Sequence, residues 1–511
     1  MRRMLYAVII LACLLAPALT AFATEPYGIG LWPDGLTYVL TAQGIAQGKG
    51  AMILGEYPLL SWPPFYPFLI AAVQQLSTTD SMAAARLLNL FLYPIIVALT
   101  AFLLKQYADN LTVAAFSAIA IALFFPVFKV SLWAMSEMPF IALTVCLFVA
   151  INAYVVQPTF RRLIILALLT ALLCLTRYIG IVAFGTTALF LLIFHRRRNA
   201  FTSHILRIAA YSTISLLPLI IWAAHNFMLN DTLFFARPAP IETLATSLMR
   251  IATVLTVWLI TPFATQSMLA LAVITAFLAY VAALLRRYLR FFLVKMTQKQ
   301  TWFFLYILLF TFSYLVFITT ASATSAFEPL NERLLAPLSI SLLLLALQIG
   351  LVLFELLWAK GERQIYALLL ATFTWVIYSG ISSFSLASQA RAEGLGYYSE
   401  FWRKNTLLAS LIEFDDLENC ELYSNEPNAI YLFLNRSSHL TLNKTYYGSA
   451  EIANLLNDSW LLGTEGCVVW FAGVKHNFLY TLEELKTTAE FTPLIELGSG
   501  GVYKVRKRAE P

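Results

Sequence analysis

Charge is scarce in this 511-residue chain, where Asp, Glu, Lys and Arg make up 12% against 60% hydrophobic residues; a soluble domain is roughly a quarter charged and about half apolar. A single soluble core is therefore excluded. Metal-ligand spacing is missing among the five cysteines, and there is no phosphate-cradling GxxxxGK[ST] loop, no low-complexity tract and no internal repeat of the transporter kind. Nucleotide-driven chemistry has no support. The formal charge is +6, but the basic residues lie between apolar runs rather than in one patch with interleaved aromatics, so nucleic acid is not an expected partner.

What the chain has instead is apolar length. Runs of about 18 or more apolar residues recur between 65 and 383, the length that a bilayer core about 30 Å thick requires. Spanning helices are expected near 4–23, 83–104, 111–128, 138–156, 162–176, 179–194, 205–228, 265–285, 301–320, 333–358 and 364–383. With a cytoplasmic N-terminus, Lys105, Arg161-Arg162, Arg196-Arg197-Arg198 with Arg207, Arg286-Arg287 with Arg290 and Lys295, and Lys360 with Arg363 all fall inside. The positive-inside rule is met at every cytoplasmic turn.

The stretch 162–194 is interrupted by Thr176-Arg177-Tyr178 and is split into two short segments, with Arg177 at their outer junction. Segments that short need shelter from neighbouring helices. The run 247–262 would reverse the later topology if it crossed, so it is laid on the outer surface as an interfacial helix. Arg2-Arg3, the apolar run to Thr20 and Ala21-Phe22-Ala23 match both a cleavable secretory signal and an uncleaved first helix. The uncleaved anchor is the preferred reading, and in either case residue 24 onward lies outside.

The expected fold is an all-α polytopic membrane domain of about eleven transmembrane helices, residues 1–383 with a long first outer loop at 24–82, followed by a small extracytoplasmic α/β domain at 384–511. In the tail, Cys420–Tyr423, Cys467–Phe471 and Val502–Val505 read as strands, and 398–412, 449–460 and 481–490 as amphipathic helices. Thr481-Leu482-Glu483-Glu484 is a capping-box pattern, and Gly498-Ser499-Gly500-Gly501 suits a hairpin turn. Cys13, Cys146 and Cys174 lie in apolar runs, whereas Cys420 and Cys467 share the tail. An oxidising compartment would permit a bridge there, and spacing leaves their pairing open.

The first loop reads Leu31-Trp32-Pro33-Asp34-Gly35-Leu36-Thr37-Tyr38, then Gly44 to Gly50, then Ser61-Trp62-Pro63-Pro64-Phe65-Tyr66-Pro67. Further on come Ser136-Glu137-Met138-Pro139, Leu175-Thr176-Arg177-Tyr178-Ile179-Gly180, and Asn331-Glu332-Arg333-Leu334-Leu335-Ala336-Pro337 opening a late span. In this order and on one side of the membrane, these motifs resemble the GT-C superfamily of membrane glycosyltransferases, whose relatives include the lipid A aminoarabinose transferase and the protein O-mannosyltransferases. The resemblance covers residues 1 to about 385 and extends more loosely to the tail.

The resemblance implies sugar transfer from a polyprenyl-phosphate-linked donor to a lipid, glycan or protein acceptor at the outer face of an inner (plasma) membrane. An acceptor hydroxyl is a poor nucleophile, so a carboxylate that takes its proton lowers the barrier. Asp34 is the candidate base and Glu137 a second catalytic carboxylate. The leaving phosphate needs fixed cations, for which Arg177 and Arg333 are candidates, with Tyr178, His225, Arg237, Trp62 and Tyr66 as further substrate contacts. No metal site is entered, and cofactor needs are left unknown: relatives often carry paired acidic residues where Gly35 follows Asp34 here.

Each candidate also has a plain structural reading. Pro33-Asp34-Gly35 is a turn sequence, Glu137 after Ser136 favours a helix start, and Arg333 at a span boundary can snorkel. His225 and Arg237 fit an interface equally well, and for Trp62 and Tyr66 the aromatic belt is the preferred reading. A transporter or flippase for lipid-linked saccharides and a non-catalytic scaffold of the same fold are the alternative functions. Failure of Asp34, Glu137 and Arg333 to converge on one cavity would favour either alternative over the enzyme.

Overall fold

Backbone groups in hydrocarbon must be satisfied internally, and the apolar runs answer that demand as helices. The computed structural model describes residues 1–53, 57–195, 201–230, 242–260, 283, 286, 298–325, 328–413, 417, 420–442, 461, 465–476 and 478–507. The chain divides into two compact units, Met1–Gly394 and Leu395–Pro511.

In the first unit the order is α1 (Arg2–Thr24), α2 (Pro33–Ala46), a two-stranded hairpin of β1 (Met52–Ile53) and β2 (Tyr57–Pro58), α3 (Phe65–Ser77), α4 (Ser81–Ala108), α5 (Leu111–Ala122), α6 (Phe125–Ser131), α7 (Glu137–Val156) and α8 (Phe160–Thr176). A 3-10 turn (Tyr178–Gly180) then leads to α9 (Ile181–His195), α10 (Phe201–Asn230), α11 (Leu244–Ile260), α12 (Gln298–Thr324), α13 (Glu332–Ala359) and α14 (Gln364–Glu393). Among the described residues seven of these helices are long and apolar enough to cross a membrane, or eight if the bent pair α5 and α6 is one span. The count of about eleven is not reproduced. The two segments expected to be short, 162–176 and 179–194, are α8 and α9, of 17 and 15 residues, and the span expected at 265–285 lies outside the described residues except for position 283.

Within the expected span at 111–128, α5 and α6 meet at a bend of 49°. Pro126 sits in the first turn of α6, where its missing N–H costs nothing. The freed backbone groups are met by α14: Ser379 and Ser383 donate to Leu123 O at 2.8 and 3.2 Å, and Phe125 N–H donates to Ser379 Oγ at 2.9 Å. Two serines thus replace the missing helical bonds.

The first loop, 24–82, is mostly regular structure among its described residues. Gly30 pairs in parallel with Trp133: Gly30 N–H donates to Leu132 O at 2.8 Å and Ala134 N–H to Gly30 O at 3.0 Å. Trp32 stacks on Trp133 at 5.6 Å. On the other side Asn89 of α4 donates to Ser131 O and Trp133 O at 3.0 and 2.9 Å. The start of α2 is therefore pinned beside the start of α7.

The second unit contains α15 (Glu400–Arg403), α16 (Thr406–Ile412), β3 (Leu422–Ser424), α17 (Pro427–Leu434), β4 (His439–Leu440), β5 (Glu465–Phe471), α18 (Leu482–Thr488), β6 (Ala489–Leu497) and β7 (Gly500–Lys507). Its sheet has the order β4-β3-β5-β7-β6, with β3 parallel to β4 and β5, and β7 antiparallel to β5 and β6. Tyr423, Leu461, Val468, Leu485 and Val505 form its core. The expected helix at 398–412 is two short helices, since Asn405 caps the second by accepting from Leu408 N–H at 3.0 Å. The expected 481–490 helix stops at Thr488 behind a complete capping box, and 449–460 lies outside the described residues. The expected hairpin turn at Gly498-Ser499-Gly500-Gly501 joins β6 to β7; the range of β6 was not read in advance, and it is an edge strand carrying Pro493 and a register shift, the position in a sheet that tolerates proline. Cys420 and Cys467 form a disulfide.

Candidate active site

Pro33 opens α2, so Asp34 stands in the first turn, where a carboxylate is favoured by the helix dipole. The following Gly35 has a packing reason: a Cβ there would come within 2.8 Å of Ala134 O. A second acidic residue would not fit against that backbone. Glu137 begins α7 directly after the segment that pairs with the first loop. Arg177 sits between α8 and the 3-10 turn, and a Cβ on Gly180 would clash with the Leu173–Cys174 backbone, so only glycine lets the turn fold back tightly.

Arg333, in the first turn of α13, completes the arrangement. Its Nη1 donates to Asp34 Oδ2 at 2.8 Å and to Met135 Sδ at 3.4 Å, and its Nη2 donates to Glu328 Oε2 at 2.6 Å. Its Nε stands 3.8 Å from Glu137 Oε1, the oxygen that also pairs with Arg177 Nη1. Arg177 further donates to Ser136 Oγ at 3.2 Å. Arg333 thus lies against three carboxylates through its separate nitrogens, and Glu137 links it to Arg177.

Exposure separates their roles. Asp34 and Arg333 side chains are 30% and 24% exposed, whereas Glu137 is 1% exposed. Asp34 can meet a substrate; Glu137 is walled in by arginines, and its Oε2 has no hydrogen-bond partner among the described residues. Nearby, Tyr38 Oη lies 3.5 Å from Ser136 Oγ. Burial first, and the Asp34 carboxylate second, push the Tyr38 phenol well above the ordinary tyrosine range, so it stays a neutral hydroxyl.

The expected aromatics reach the cluster through Tyr38. Tyr66 is fully buried and meets Tyr38 edge to face at 5.1 Å, with Trp62 at 6.1 Å. Tyr178 is half-buried on the 3-10 turn beside Arg177. His225 is not brought to the cluster: it is exposed on α10 and stacks on Trp222 at 5.2 Å. Its neighbour Asn226 donates to Leu60 O at 3.3 Å, tying α10 to the Trp62 loop. Arg237 lies outside the described residues.

Two charged residues were missed from sequence, Glu328 in the cluster and Lys129 in a separate ion pair. Glu328 accepts from Arg333 and, through Oε1, from Asn331 at 2.6 Å. Lys129 on α6 pairs with Glu332 at 3.0 Å. A lone lysine among apolar residues is a signal in itself, passed over here because Lys129 falls just past the expected span 111–128. Among the described residues no three His, Cys, Asp or Glu side chains converge as a metal-ligand group, and Asp34 and Glu137 are already met by guanidinium groups.

No family model and no curated protein matches the chain. Solved structures do. ArnT from Cupriavidus metallidurans in the apo state matches at a TM-score of 0.59 with 10% identity over 98% of this chain and 97% of that one. The chain therefore shares the fold of that structure. The same ArnT bound to undecaprenyl phosphate gives 0.57 at 11% identity, with 98% and 97% covered. The Archaeoglobus fulgidus oligosaccharyltransferase in complex with Zn and sulfate gives 0.56 at 12% identity, over 97% of this chain and 72% of that one. The long apolar helices make the chain an integral membrane protein.

Proposed function

We propose that the chain is an inverting glycosyltransferase that takes a sugar from a polyprenyl-phosphate carrier and places it on a lipid, glycan or protein acceptor at the outer face of the plasma membrane. The observation that carries this reading is the meeting of Asp34, Glu137, Arg177 and Arg333, drawn from four separate parts of the chain, at one partly open point. The fold shared with a structure that holds undecaprenyl phosphate supports the class of donor.

In this reading an acceptor hydroxyl gives its proton to Asp34 as its oxygen attacks the anomeric carbon. The carbon–oxygen bond to phosphate breaks with its electron pair, and Arg177 and Arg333 meet the charge that develops on the leaving group. A single displacement needs one accessible base and no covalent sugar–enzyme intermediate. Of Asp34 and Glu137, only Asp34 is open enough to serve. Glu137 holds the two arginines in place, a positioning duty that favours neither a flippase nor a scaffold.

The test uses protein in lipid nanodiscs, wild type and Asp34→Asn, incubated with radiolabelled polyprenyl-phosphate sugars and a membrane extract as acceptor. Label transfer by wild type, lost in Asp34→Asn, is expected. Equal transfer by both would sink the base assignment, and saturable donor binding without turnover in either would replace the enzyme by a carrier or scaffold.

A further inference from the structure

The second unit holds its own candidate site, which the transferase reading does not use. In an open α/β sheet, ligands bind beyond the carboxyl ends of neighbouring parallel strands whose connections leave in opposite directions. Strands β3 and β5 are such a pair. They run parallel; the chain leaves β3 through α17 to β4 on one side and leaves β5 through α18 to β6 and β7 on the other. A crevice of about 1130 Å³ opens there, at the upper end of small-molecule sites, which run to roughly 1,000 Å³.

Its floor is held rigidly. Asn425, next after β3, accepts from Phe471 N–H at 2.9 Å and donates to Phe471 O and Val474 O at 2.9 and 3.1 Å, which locks the two strand ends together. The next residue, Glu426, is buried, and its carboxylate accepts from Tyr397 Oη at 2.6 Å and contacts His476 Nε2 at 2.9 Å. The imidazole on the crevice wall is thereby oriented through its Nε2. The remaining walls carry Trp470, Tyr480 and Tyr503, and Trp470 and Tyr480 pack one side against the core of the unit while staying only partly buried.

The charges there do not favour one sign. Lys475 shares the crevice with Glu483 and Glu496, so no single field is present to select a phosphate or a cation. Flat aromatic faces, a fixed imidazole and mixed polar groups in a volume this large suit an uncharged, polyhydroxylated ligand, whose C–H faces lie on rings while its hydroxyls find polar partners. We infer that the crevice at the carboxyl ends of β3 and β5 binds a saccharide, a segment of several sugar residues rather than one.

Full-length protein in nanodiscs tests this by saturation-transfer NMR with chitotriose, mannotriose, cellotriose and inorganic phosphate as probes. At least one trisaccharide is expected to bind saturably, Trp470→Ala to weaken it about tenfold, Trp470→Phe to restore most of it, and Asp34→Asn to leave it unchanged. Loss in both Trp470 variants with the Cys420–Cys467 bridge intact would reassign Trp470 to packing and overturn the inference. Signal that disappears in Asp34→Asn but survives Trp470→Ala would also overturn it, by moving the sugar to the first unit. Binding of phosphate alone, lost in Lys475→Ala, would make the crevice an anion site instead. Because the crevice and the Asp34 cluster are probed by different variants, failure here leaves the transferase reading standing.

Discussion

Arg333 donates from Nη1 to Asp34 at 2.8 Å and from Nη2 to Glu328 at 2.6 Å, so one rigid fork fixes the candidate base and the loop before α13 together. A lysine carries the same charge as a point on a flexible stem and cannot hold two carboxylates in that geometry. Arg333→Lys is therefore expected to keep the protein folded while lowering kcat/KM for sugar transfer by roughly a hundredfold, the scale of losing one preorganised electrostatic partner. Steady-state rates on the labelled donor check it. Turnover within a few-fold of wild type would remove the fork from the account.

Glu137 calls for the opposite outcome. Its side chain is 1% exposed and pairs with Arg177, with Arg333 Nε at 3.8 Å, so neutralising it leaves buried cationic charge uncompensated. Breaking such a pair costs about 3–5 kcal/mol. Glu137→Gln is expected to unfold in detergent at a clearly lower temperature than wild type, whereas Asp34→Asn, at a site 30% exposed, is expected to shift little. Equal thermal shifts in the two would mean that Glu137 is no more structural than Asp34.

Much of this site was legible because an ionisable residue stands out where the pattern calls for apolar ones. Arg177 interrupts an apolar stretch, Asp34 and Glu137 sit at helix starts, and Arg333 opens a span. Glu328 had no such contrast, lying in a short polar connection where a carboxylate needs no explanation. The break between α5 and α6 was illegible for another reason: the serine that satisfies Phe125 N–H is 254 residues away. Gly35 shows the same limit in reverse. Its identity departs from the paired acids of the resembled family, and only the nearness of Ala134 O supplies the reason. In the tail, β6 was missed because most of its residues are exposed, leaving no clean alternation to read.

The Cys420–Cys467 bridge joins residues 47 apart, across β5 and the turn before β3. In the chain-entropy account a loop of that size contributes about 4 kcal/mol. Cys420→Ser with Cys467→Ser is expected to speed proteolysis within the second unit while leaving the helical unit intact. In cells, a membrane-impermeant thiol reagent should label the pair only after reduction, as an oxidising outer compartment requires. No labelling by the impermeant reagent even after reduction, with labelling by a permeant reagent without reductant, would place the tail on the reducing side.

The first helix is expected to remain in the mature protein. Residues Ala21-Phe22-Ala23 have the look of a cleavage site, yet they are helical and held on several sides. Arg86 donates to Thr24 Oγ1 at 2.8 Å and to Ala21 O at 3.2 Å, and Arg391 donates to Phe22 O at 3.0 Å while lying over its ring at 4.7 Å. Deeper in, Thr20 Oγ1 and Ser131 Oγ share a buried hydrogen bond of 2.8 Å. Ser131 ends α6 immediately before the segment that pairs with Gly30, so the inner face of α1 braces the strand that positions Asp34. Intact mass of the purified protein should include residues 1–24, and Thr20→Ala should cost about 1 kcal/mol, the net worth of one buried hydrogen bond. A mass beginning at Thr24 in a protein of full activity would mean that α1 is dispensable to the site; cleavage accompanied by lost transfer would instead confirm the brace while showing that processing inactivates the chain.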